Sequence, residues 1–160
     1  MKKNKIKRQN PCYAEAKSVL MFFTSEGNQK IALVKGLQNK MEKEGKNVTC
    51  LFLVMRDEDK PDVHMDEGME RLVPDDFSMF GSVEKPLVKK IINEGYDFLI
   101  HADMQATIYT DLIMAQCHAK CRIGRYFEGR ESQYDLMVGI ADDKKISFLL
   151  DQLYFYTKAL

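Results

Sequence analysis

The sequence predicts an α/β fold: a three-layer sandwich around a mostly parallel sheet of five to six strands, Rossmann-like or flavodoxin-like in strand order. Three observations carry this. The runs SVLMFFT (18–24) and VTCLFLVM (48–55) are apolar throughout, as strands buried on both faces are. Between them Ile31, Val34, Leu37 and Met41 recur at three- and four-residue spacing, which makes a helix between two strands and implies parallel pairing. The stretch from Tyr96 to Tyr126 begins as an apolar run and breaks abruptly into His101, Asp103 and Gln105. A parallel strand whose C-terminal end faces a cleft reads this way.

Each element follows in order. Residues 1–16 open with five basic side chains in the first eight positions and read as a solvated, partly disordered tail. After the strand at 18–24, the helix closes at Gly45 and the second strand runs over 48–55. A charged loop with Pro61 follows, then a short helix expected at 65–72 and a short edge strand at 76–80 ending at Gly81. Pro86 suits a first helical turn, and Leu87, Val88, Ile91 and Ile92 carry that helix to Gly95. The remaining elements are a strand at 97–101, a helix at 106–119, strands at 121–125 and 135–140, and a final helix at 144–158. Tyr-Asp followed by three apolar residues occurs twice, at Tyr96 and Tyr134, marking two similar sheet entries. With no linker or composition break, residues 1–160 read as a single α/β domain.

Lys plus Arg and Asp plus Glu both number 24. This balance argues against nucleic acid, whose binding is driven by surplus cations. No stretch reaches the length of a membrane span, and the run at 19–23 is too short for a secretory signal. Four scattered cysteines (Cys12, Cys50, Cys117, Cys121) are expected as reduced thiols of a cytoplasmic protein. Cys117-His118-Ala-Lys-Cys121 lacks zinc-site spacing and a second ligand pair, so no metal and no cofactor is expected.

Three places are candidate sites. The first strand–helix corner, FFTSEGNQK, offers Ser25, Gly27 and Asn28 for an anion at a helix N-terminus; Ser25 is equally suited to cap that helix. His101 and Asp103, two residues apart on one strand, are candidates for proton transfer; the structural alternative is that Asp103 caps the following helix and His101 is a satisfied core histidine. Arg125, at a strand end on the same sheet edge, could grip a phosphate or carboxylate, or pair at the surface with Glu128 or Glu131. The final helix carries Phe148, Tyr154, Phe155 and Tyr156 around its cylinder, which fits plain core packing in a deep groove or a homodimer through 144–160.

Three resemblances follow from these residues. Thr24, Ser25, Gly27 and Asn28 resemble the phosphate loop of flavodoxins, with Glu26 and Gln29 standing where hydroxyl residues are expected. Tyr96, Asp97, Ile100, Ala119, Lys120, Arg122, Ile123 and Gly124 resemble a strand–helix–strand in the acceptor-side domain of heptosyltransferase-type glycosyltransferases. The chain as a whole is similar to an uncharacterised bacterial family of short Rossmann-like proteins, through Asn28-Gln29-Lys30, Phe80-Gly81 with Pro86, Gly124-Arg125-Tyr126 and Tyr134-Asp135-Leu136-Met137. These likenesses imply the fold. The expected function is a non-catalytic or weakly ligand-binding domain. The alternatives are a small-molecule enzyme or carrier taking a phosphorylated or nucleotide-like ligand at the C-terminal sheet edge, and a flavin-binding protein.

Overall fold

The computed structural model describes residues 7–62 and 68–160. Its main elements are β1 (Ser18–Thr24), α1 (Asn28–Lys43), β2 (Asn47–Leu53), β3 (Met69–Leu72), α2 (Pro86–Asn93), β4 (Tyr96–His101), α3 (Ile108–Gln116), β5 (Ala119–Arg125), β6 (Leu136–Val138) and α4 (Ile146–Lys158). They build one open sheet in the order β3-β2-β1-β4-β5-β6, with every pairing parallel. This is the Rossmann order. A flavodoxin-like sheet would set the third strand beside the first, whereas β1 here lies between β2 and β4.

Strand alternation sorts the core into two layers. Val19, Met21 and Phe23 of β1 join Ile31, Val34 and Met41 of α1 and Leu149 and Leu153 of α4. Leu20 and Phe22 face the other way, toward Val88 and Ile92 of α2 and Ile113 and Met114 of α3. The sheet is therefore buried on both faces, and the strand order reverses between β1 and β4. Ligands of open α/β sheets characteristically bind at such a switch point, outside the strands' C-terminal ends.

Two expectations are corrected in the segment before α2. Residues 69–72 are a strand and not the end of a helix; 65–67 lie outside the described residues. The edge strand expected at 76–80 is absent: Pro74–Asp76 is a short 3-10 turn, and Phe77 makes an isolated antiparallel bridge to Val83. The helix expected to reach 119 stops at Gln116, because Cys117 turns extended. The buried Arg122 guanidinium then takes the carbonyls of Met114 and Cys117, satisfying groups that a helix end leaves open. Burial lowers the Arg122 pKa to about 10.

The repeated Tyr-Asp motif has a physical role. Asp97 Oδ2 accepts the backbone N–H groups of Lys17 (2.7 Å) and Ser18 (3.2 Å), at the entry to the neighbouring strand β1. Asp135 Oδ2 accepts the Arg122 N–H of neighbouring β5 at 2.8 Å. Each aspartate thus locks one strand against the next. Residues 7–16 pack onto the same end: Gln9 N–H donates to the Lys120 carbonyl at 2.9 Å, and Lys46 Nζ donates to the carbonyls of Tyr13 and Ala16. The first six residues of the basic tail lie outside the described residues. Among the described residues, no helix is long and apolar enough to cross a membrane.

Candidate functional site

At the switch point, the polar residues that end β4 fold inward. Register sets His101 beside Phe22 of β1 and Gly124 of β5. Gly124 has no side chain, and a Cβ there would lie 2.5 Å from Tyr134 Cε1. The glycine therefore leaves room for the Tyr134 ring, which stacks on His101 with centroids 6.1 Å apart. Tyr134 Oη lies 2.7 Å from His101 Nδ1, and His101 Nε2 lies 2.9 Å from Asp103 Oδ2. A carboxylate only accepts, so we assign the imidazole proton to Nε2 and let the Tyr134 hydroxyl donate to Nδ1.

Asp103 is the hub of this network. It accepts from the Thr24 N–H at 2.8 and 3.0 Å, the Thr24 hydroxyl at 3.0 Å, and Lys30 Nζ at 2.5 Å. His101, Asp103 and Lys30 are 0%, 2% and 3% exposed. Burial alone would raise the Asp103 pKa, but the Lys30 charge and the His101 hydrogen bond outweigh it and hold the carboxyl at about 2. Burial pushes the Tyr134 hydroxyl well above the ordinary tyrosine range, which keeps it a donor. Asp103 does not cap the next helix. Thr107 does, in a reciprocal pair with Thr110.

At the first corner, Ser25 is buried and its hydroxyl donates to the Asp59 carbonyl at 2.6 Å. Asn28 Nδ2 donates to Asp62 Oδ2 at 3.2 Å, and the Asp62 N–H returns a bond to Asn28 Oδ1 at 2.9 Å. The loop after β2, with Asp57, Glu58, Asp59 and Asp62, is thereby laid over the start of α1. The N-cap is Gly27, not Ser25, at φ 101° and ψ −173°, a conformation open essentially to glycine alone.

Arg125, at the end of β5, bonds neither His101 nor Asp103 and meets the second corner, after β4, through backbone alone. Its Nη1 donates to the Met104 carbonyl (2.6 Å), and its Nη2 donates to the Ile140 carbonyl (2.8 Å) and Asp142 Oδ1 (2.5 Å). It therefore ties the loop after β4 to the loop after β6, and neither Glu128 nor Glu131 is its partner here. Arg130 pairs instead with Asp111 at 2.8 Å. Arg125, Arg130, Gln105, Tyr126, Gly139 and Asp142 are among the residues around a cavity of about 410 Å³. The structure thus joins His101 with Asp103, and Ser25 with Asn28 in a neighbouring corner, while Arg125 serves a separate pocket.

Sequence reasoning missed Lys30 as the partner of Asp103 and Tyr134 as the partner of His101. Lys30 carried a signal, since it precedes Val34, Leu37 and Met41 on the buried stripe of α1, where a charge demands a partner. All four cysteines are free; Cys50, Cys117 and Cys121 are buried and Cys12 is exposed. Burial raises the Cys117 and Cys121 thiols to about 12 and about 11, which keeps them protonated and poor nucleophiles. No group of three or more acidic, histidine or cysteine side chains suited to a metal occurs among the described residues.

Comparison with known proteins agrees with this fold. An exopolyphosphatase-related protein of Bacteroides fragilis superposes with a TM-score of 0.54 at 15% identity, covering 91% of this chain and 41% of that one. The chain thus spans about two fifths of that protein's length. The E. coli heptosyltransferase WaaC, solved with ADP, gives a TM-score of 0.48 at 11% identity, over 86% of this chain and 46% of that one. No curated protein matches the sequence. The sequence matches one family pattern over residues 1–160, and the chain accordingly belongs to DUF6913, a family of unknown function.

Proposed function

We propose that this chain is a non-catalytic, Rossmann-like ligand-binding domain that meets its ligand on the β4–β5–β6 side of the sheet edge. The observation that carries the reading is the Lys30–Asp103–His101–Tyr134 network. Its members are buried and bond one another and Thr24, with the exposed Glu26 adding an ion pair to Lys30 at 3.2 Å. A general base must reach the proton it removes, and a buried histidine already shared by a carboxylate and a phenol is suited to fixing three strands. Engagement of Ser25 and Asn28 with Asp59 and Asp62 speaks in the same direction against a phosphate or flavin at the first corner. The cavity beside Arg125 is within the size range of small-molecule sites, roughly 300–1,000 Å³.

Native mass spectrometry on gently purified protein tests this. A co-purified small mass that survives Asn28→Ala and is reduced or lost with Arg125→Lys supports the reading. A mass that disappears with Asn28→Ala and survives Arg125→Lys contradicts it and returns the first corner to the front.

A second reading, homodimerisation through 144–160, rests on one observation. Helix α4 buries Leu149, Leu150 and Leu153, yet leaves Phe148, Phe155 and Tyr156 exposed. Sedimentation velocity should then show a dimer that Phe155→Lys dissociates; a monomer at all concentrations contradicts it.

A further inference from the structure

We propose that Arg125 and the cavity beside it form a site for a small oxyanion, a carboxylate or phosphate head group, and that Asp142 is a resident competitor filling the anion position when no ligand is bound. This rests on the reading that binding occurs on the β4–β5–β6 side. One ion pair at this edge is asymmetric. The Arg125 side chain is 8% exposed and the Asp142 side chain 92%. A guanidinium taken out of water needs a counter-charge, whereas a carboxylate almost wholly in water loses little on release. The pair is therefore replaceable from one side only: the cation stays and the anion can be exchanged.

The other Arg125 contacts suit this role. Nη1 and Nη2 also hold the carbonyls of Met104 and Ile140, so the head stays in place when Asp142 leaves. Its Nε is buried with no hydrogen-bond partner among the described residues, leaving the guanidinium short of acceptors. The cavity wall carries two cations, Arg125 and Arg130, and two carboxylates, Glu128 and Asp142, of which Asp142 is the one bonded to Arg125. The Arg130 guanidinium is already matched through Nε and Nη2 to the two oxygens of Asp111, at 2.8 and 3.2 Å, so Asp142 is the charge a ligand would replace.

The cavity supplies room for the rest of such a molecule. Its volume of about 410 Å³ suits a small metabolite. Gln105 on its wall offers both a donor and an acceptor for ligand hydroxyls. Gly139 leaves open space where a Cβ would stand. The chemistry favoured is a hydroxylated compound with one oxyanion terminus.

The test is an NMR titration of the full chain with inorganic phosphate and, separately, with acetate, against sodium chloride at matched ionic strength. The expected result is saturable shifts centred on the Arg125 side-chain NH, Gln105 and Ile140, with the preferred probe identifying the head group. Asp142→Asn should tighten binding by up to about fivefold, the strength of an exposed ion pair. Arg125→Gln should abolish it, and Arg125→Lys, which keeps the charge, should weaken it if the glutamine variant fails to fold. Shifts at Arg125 that Asp142→Asn leaves unchanged or weakens would overturn the competitor role while sparing the binding side. Shifts centred on Gly27 and Asn28 would overturn the binding side itself. Responses equal to those with chloride would reduce the site to ionic screening and overturn the proposal.

Discussion

The two halves of the C-terminal sheet edge use charge in opposite ways. Between β1 and β4 the cation, the carboxylate and the imidazole are all buried and answer one another. At the end of β5 a buried cation is answered by a carboxylate on the surface. In the first case removal of either partner strands the other in a medium of low dielectric, so the arrangement is rigid. In the second the carboxylate returns to water at little cost, so the arrangement is exchangeable. On the proposed reading, a switch point closed by its own aspartate leaves binding to the other half of the edge.

The largest expected effect separates these halves. Asp103→Ala should destabilise the fold by about 3 kcal/mol, because it strips the buried Lys30 and His101 of their shared carboxylate and leaves Lys30 only the exposed Glu26, at 3.2 Å; urea unfolding measures this. Gly124→Ala comes next. It drives a Cβ to 2.5 Å from the Tyr134 ring, and overpacking of this kind costs about 1–3 kcal/mol. Val at the same position should cost more, and a wild-type Tm for both would remove the link between Gly124 and the histidine network.

Acid should reveal the same half. The Asp103 carboxyl sits at about 2 in the folded chain, below the ordinary aspartate value of about 3.9. A depressed folded-state pKa gives stability that is complete above the unfolded value and is lost as pH falls through the folded one. Its share, on the order of 2 kcal/mol, should therefore fade between about pH 5 and pH 2. Tm measured across that window should fall more steeply for wild type than for Asp103→Asn; parallel slopes would sink the assignment. Gly27→Ala tests the first corner, where open space surrounds the absent Cβ, so only backbone strain of about 1–3 kcal/mol is expected. Smallest of all is Asp142→Asn: the amide oxygen can still accept from Arg125, which also keeps the Met104 and Ile140 carbonyls, so the loss should be about 1 kcal/mol.

Much of this was legible in the sequence where local signals were strong. β1, β4 and α2 follow directly from their apolar runs, Pro86 and Gly95. β3 was not legible, because an edge strand of four residues, MERL, buries only Met69 and Leu72 and shows no apolar run; its spacing imitates a helix face. The end of α3 was hidden because Arg122, which satisfies it, lies on the following strand. For the candidate site, His101 and Asp103 were readable as a pair two residues apart. Their partners Lys30 and Tyr134 lie 73 and 33 residues away, and only the register of β1, β4 and β5 brings them together. Strand order, which sequence leaves open between two arrangements, depends on those same long-range pairings.

The most direct test of the closed switch point is long-range ¹H–¹⁵N NMR of the His101 ring at neutral pH. A closed crevice gives a single tautomer, protonated at Nε2 and accepting at Nδ1, with a slowly exchanging Tyr134 hydroxyl proton. A ring that averages between tautomers beside a rapidly exchanging tyrosine would mean that water reaches the crevice, and would contradict it.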